Sequence, residues 1–126
     1  MRVQRRALPP SSGLRLTLQS GLPWNGYYGL QLTVKGRAPA AATAWLALVE
    51  MLPAGTDGSA VARELVRSVA GPLPLQALHQ GKAVSELRAM RWPDSAKPER
   101  LQARAWVESA DGRFLAVAAG GCPAWR

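Results

Sequence analysis

Cysteine and histidine are nearly absent from this chain: Cys122 and His79 are the only ones among its 126 residues. One cysteine excludes an intramolecular disulfide, and one cysteine with one histidine cannot supply the four ligands of a structural zinc site. Acidic residues are also scarce, eight Asp and Glu against sixteen Lys and Arg, which leaves a net charge of +8. Long apolar runs are missing. The longest, from Ala38 to Val49, contains Pro39 and Thr43 and spans about twelve residues, too few to cross a bilayer as a helix. No secretory leader is visible either. Met1-Arg-Val-Gln-Arg-Arg6 has the right charge, but Leu8-Pro9-Pro10 stands where an apolar segment belongs. Read from Met1 as a true start, the chain is expected in the cytoplasm.

What is present is enough for one globular domain. Apolar residues make up 48% of the chain, and at this length about two-thirds of the unfolded surface can be buried. The cations are mostly arginine, and Arg2, Arg5 and Arg6 crowd the first six residues. A basic balance of this kind serves solubility, or steers nucleic acid, anionic lipid or an acidic protein toward the surface. Residues 1–13 read as a flexible basic arm, because Pro9-Pro10-Ser11-Ser12-Gly13 is linker chemistry.

From Leu14 onward the apolar pattern has period two. Leu14, Leu16 and Leu18 alternate with Arg15, Thr17 and Gln19, which predicts a half-buried strand. Asn25-Gly26 is a hairpin signal, and Tyr28, Leu30, Leu32 and Val34 continue as the partner strand. Thr43 to Met51 is apolar on both sides, as a central strand would be. Ser59 to Ala70 fits either a helical face or a strand. Gly71-Pro-Leu-Pro74 is expected to break whatever precedes it. Val84, Leu87 and Met90 follow less regularly. Leu101 to Val107, an Asp111-Gly112 turn and Phe114 to Ala119 form a closing hairpin. Strand-like runs punctuated by turn residues, without β-α-β alternation, predict a mostly-β fold. The expectation is a single antiparallel β-sandwich over residues 14–126, immunoglobulin-like or fibronectin-like, with about seven to eight strands.

The chemistry that could sit on such a frame is sparse. His79 lies in a Leu-His-Gln-Gly segment with no acid close in sequence, and no Gly-x-Ser-x-Gly elbow exists. Asp57, Asp94 and Asp111 flank Gly, Pro or Ser and suit turn capping. Glu50, Glu64, Glu86 and Glu108 suit ion pairs with the arginines. No catalytic residue, cofactor or metal site is expected, and the chain does not read as an enzyme. The five tryptophans stand out. Trp45 and Trp106 fall within strands as core or core-edge residues. Trp24 with Tyr27 and Tyr28 could form an exposed platform for a sugar or a single-stranded base, or could instead cap an end of the sandwich.

The order of these features resembles the C-terminal β-sandwich portion of a bacterial family of secreted thioredoxin-like proteins, catalogued as domain of unknown function 1223. The resemblance is carried by Leu14-Arg-Leu-Thr-Leu-Gln19 behind a Pro-rich lead and by Trp45-Leu-Ala-Leu-Val-Glu50. It continues, after a Gly-rich loop, with Val61-Ala-Arg-Glu-Leu-Val-Arg67, and ends with Phe114-Leu-Ala-Val-Ala118 and Cys122-Pro123. It implies that Ser59–Ala70 is a strand and that the protein is periplasmic. It also implies a thioredoxin-like domain or another envelope protein as partner. The family's redox half has no counterpart here, so no redox residue carries over. Two functions follow as expectations. The first is a non-catalytic accessory or interaction module. The alternative is a basic binding domain for single-stranded nucleic acid or another anionic ligand, with Arg2, Arg5, Arg6, Trp24, Tyr27 and Tyr28 as the contacts.

Overall fold

Alternating leucines become two stacked sheets. The computed structural model describes residues 3–7, 13–21 and 23–121, except the side chains of 3–7, Asp57 and Gly121. Eight strands occur among them: β1 (Val3–Ala7), β2 (Leu14–Ser20), β3 (Tyr27–Gly36), β4 (Thr43–Leu52), β5 (Arg63–Pro74), β6 (Val84–Arg91), β7 (Leu101–Glu108) and β8 (Phe114–Gly121). The larger sheet runs β1-β8-β7-β4-β5 and the smaller β2-β3-β6, with every pairing antiparallel. Among the described residues three short 3-10 turns interrupt this β structure, at Thr56–Gly58, Gln76–Gln80 and Pro98–Arg100.

The core between the sheets is complementary in size. The smaller sheet contributes bulk through Leu14, Leu16, Leu18, Tyr28, Leu30, Leu32 and Val34. Opposite them the larger sheet presents many small residues, Ala44, Ala103, Ala105, Ala116 and Ala118, beside Leu46, Leu48 and Val107. Large against small lets two pleated faces approach without voids. Each buried leucine contributes roughly 2 kcal/mol through removal of apolar surface from water.

Turn chemistry sets the registers. Trp24 and Tyr27 exchange backbone hydrogen bonds of 2.9 and 3.0 Å. Asn25 and Gly26 between them both have positive φ, 54° and 81°, as the primed hairpin turn requires. The β7–β8 hairpin closes through Ser109 N–H donating to Arg113 O at 2.9 Å, with Gly112 at φ 86°.

Three expectations need correction. Within the supposed flexible arm, Val3–Ala7 forms β1, an edge strand paired with β8 from Val3↔Gly120 to Ala7↔Ala116. Its backbone satisfies the open edge of β8, which needs no apolar alternation in the added strand. Gly71-Pro-Leu-Pro74 does not break the chain. β5 runs through it to Pro74, because β5 is a sheet edge where proline's missing N–H costs no ladder bond. Finally, Ser59–Ala70 is a strand only from Arg63, after a loop and with register shifts opposite Ala44/Leu46 and Leu48/Val49.

Candidate functional site

Of the two readings open for Trp24, Tyr27 and Tyr28, the exposed three-ring platform does not assemble. Trp24, at the hairpin tip, is 78% exposed and Tyr27 is exposed beside it, but Tyr28 is 0% exposed. Successive strand residues point to opposite faces, so Tyr28 enters the core, where its ring lies 5.0 Å from that of Trp92. Arg5 and Arg6 belong to the other sheet. On β1 Arg5 pairs with Ala118 and Arg6 with Val117 of β8. Arg2, Cys122 and Trp125 lie outside the described residues.

The outer faces of the two sheets differ sharply. On the smaller sheet the outward positions are mostly polar, with Arg15, Thr17, Gln19, Gln31, Thr33, Lys35 and Ser85. There Gln31 Nε2 donates to Ser85 Oγ at 3.0 Å. On the larger sheet the outward phase is apolar. Ala47 and Val49 are buried although they face away from the core, beneath a groove of about 270 Å³. Val66, Val69 and Phe114 line this groove and are 56%, 52% and 50% exposed. Beside it runs a row of rings, Trp45 on Trp106 at 6.4 Å and 10° and Trp106 on Phe114 at 6.0 Å. Trp106 therefore has a ring neighbour in both Trp45 and Phe114. At the other end Arg104 reaches Glu64 at 2.5 Å and closes the groove with a neutral pair.

A second concavity, of about 830 Å³, opens where β3 ends and β6 begins. Lys35, Arg37, His79 and Lys82 line it, with the backbone of Gly36 and Gly81 between them. No carboxylate lines it, and none of these four side chains has a hydrogen-bond or ion-pair partner among the described residues.

Glu50 is the one buried charged residue among those described, 2% exposed at the end of β4. Its Oε1 accepts from Arg67 Nε at 2.9 Å and from an Arg67 terminal nitrogen at 2.6 Å, while Oε2 accepts from Lys97 N–H at 3.1 Å. Burial pushes this carboxyl up. The Arg67 and Lys97 hydrogen bonds, with the charges of Arg67 and Arg100, outweigh burial and hold it below the usual range. With all three donors committed, Glu50 ties the loop before Pro98 to the larger sheet.

No protein-family model, curated protein or solved structure matches this chain. The surface is therefore read from its own chemistry. Among the described residues no three His, Cys, Asp or Glu side chains cluster as a metal site, and no helix is long and apolar enough to cross a membrane. Sequence reasoning missed both concavities. The groove was signalled by Thr43–Leu52 being apolar in both phases. The basic cleft was signalled only by Lys-Gly-Arg and Gly-Lys at the ends of two strands distant in sequence.

Proposed function

We propose that this chain is a non-catalytic interaction module that docks another protein on the outer face of its larger sheet. The observation that carries this reading is the groove in which Val66, Val69 and Phe114 stand at least half exposed above Ala47 and Val49. Contiguous exposed apolar surface on a soluble domain marks contact with a partner. The rim supports a protein occupant of apolar character. Arg104 and Glu64 neutralise each other there, so on a chain of charge +8 this face offers nothing in particular to an anion. The rings in the row pack on one another, and such aromatic surface suits the side chains of a protein partner.

The strand order supports an immunoglobulin- or fibronectin-like assignment. With β2 counted as strand A, the sheets read A-B-E and G-F-C, with β5 beside C. The resemblance to the secreted thioredoxin-like family supplies a candidate occupant, a thioredoxin-like domain or another envelope protein, and with it a periplasmic location. Single-stranded nucleic acid is less well served, since Arg5 and Arg6 lie on β1 of the larger sheet and the Trp24–Tyr27 tip opens β3 of the smaller one.

Site-specific photo-cross-linking in the native cell tests the reading. A photoreactive residue in place of Val69 should trap a distinct protein, and one in place of the exposed Leu87 on the smaller sheet should not. Val66→Lys should abolish the adduct. Trapping only of a second copy, or equal yield from both positions, would overturn the proposal.

A further inference from the structure

We propose that the basic cleft at the β3–β6 end of the smaller sheet binds a small ligand carrying two or more phosphate groups. This site is independent of the apolar groove, and it uses none of the arginines or aromatic residues that the sequence brought forward. Three observations carry the inference.

The first is unpaired charge. Lys35, Arg37 and Lys82, with His79, converge on one open cavity of about 830 Å³ with no acid in its wall. Four arginines elsewhere are paired, Arg67 with Glu50, Arg88 with Glu86, Arg104 with Glu64 and Arg113 with Asp111. Those pairs use four of the chain's eight carboxylates, and none of those described lines the cleft.

The second is an arrangement that the fold alone disfavours. Arg15 on β2 stands directly opposite Lys35 on β3. Like charges in directly paired cross-strand positions destabilise a sheet. The neighbouring pair is Leu14↔Gly36, and Gly36 cannot carry a side chain. Its φ is 112°, and an added Cβ would run into Gly13 O. The cation row therefore continues past a bare backbone position into Arg37.

The third is what the wall lacks. Its remaining members are Ala38, Leu78, Gly81 and Ala83, without an aromatic ring. A nucleic-acid strand is held by rings on which bases stack as well as by cations along its backbone. Cations with no Phe, Tyr or Trp platform beside them suit compact polyanions, where lysines act as point charges and an arginine as a bidentate fork. The volume lies within the range of small-ligand sites, so more than one phosphate group fits.

The test uses the full chain and inorganic tripolyphosphate in titration calorimetry at about 50 mM salt, where phosphate contacts are weakly screened. Saturable one-to-one binding is expected. The triple variant Lys35→Gln, Arg37→Gln, Lys82→Gln should weaken it by at least about tenfold, with affinity falling less steeply as salt is raised. A control of equal charge loss, Arg91→Gln, Lys97→Gln, Arg113→Gln, should change affinity by less than about twofold, because those exposed side chains lie outside the cleft. Thermal melting establishes that both variants are folded, and the single variant Lys82→Glu, on an exposed loop, gives the same comparison without touching a strand. Absence of binding, or equal weakening by both triples, would overturn the proposal. So would tighter cleft-dependent binding of single-stranded DNA or of vesicles containing anionic lipid than of tripolyphosphate.

Discussion

Tyr28 and Trp24 are four positions apart and have opposite fates, and mutation should separate them. Tyr28→Ala empties a fully buried ring site and should cost about 4 kcal/mol, whereas Trp24→Ala removes a ring that is mostly in water and should stay within about 0.5 kcal/mol. Urea denaturation of the two variants checks this. Glu50 offers the clearest pH signature. Replacing it with Gln removes the charge that Arg67 and Lys97 N–H address, and should cost about 2 kcal/mol at pH 7. Its folded-state pKa is depressed, so its contribution is fully present above the unfolded value of about 4.3 and is lost as pH falls through the lower folded value. Denaturant midpoints of wild type and Glu50→Gln should therefore differ at pH 7, keep that difference to about pH 4.3, and converge below it. A constant difference down to pH 2 would show that the charge is not what Glu50 contributes.

Among the elements, Gly71 on β5 is held against an aromatic ring. It has φ 145°, and an added Cβ would lie 2.7 Å from Cε3 of Trp45 and 3.0 Å from Ala44 O. Gly71→Ala should destabilise by at least about 2 kcal/mol and shift the tryptophan emission, since the ring rather than solvent must yield. Unchanged emission and stability would mean that β5 adjusts freely at this edge. The same strand shows how far sequence reasoning reaches. β2, β3, β7 and β8 were legible because each buries one phase of its side chains, so period two is written in leucines, alanines and valines, and β4 because it is apolar in both. β5 was ambiguous because an edge strand with Leu65, Val66 and Val69 all exposed has no dry side to enforce a period. β1 was read as an arm because its pairing is a property of its backbone and of the open edge of β8. The flagged ring cluster failed by the very rule that found the strands, since neighbours such as Tyr27 and Tyr28 must part to opposite faces.

For the whole molecule, the excess of positive charge acts against compactness. Self-repulsion at +8 is screened as salt rises, so the melting temperature should climb by a few degrees between about 0.01 and 0.15 M sodium chloride, the shift that roughly 1 kcal/mol produces at this size. A fall with salt would mean that the surface ion pairs outweigh the repulsion. The groove and the cleft left only partial signals in the sequence for a common reason. Each is made by residues from strands far apart in the chain, Val49 with Val117 in one case and Lys35 with Lys82 in the other. No local window holds them together.

Because the apolar groove belongs to the five-stranded sheet and the cation-lined cleft to the three-stranded one, the layer of leucines and alanines insulates one from the other. Two visitors of opposite chemical temperament can be seated back to back, and neither has to leave for the other to arrive.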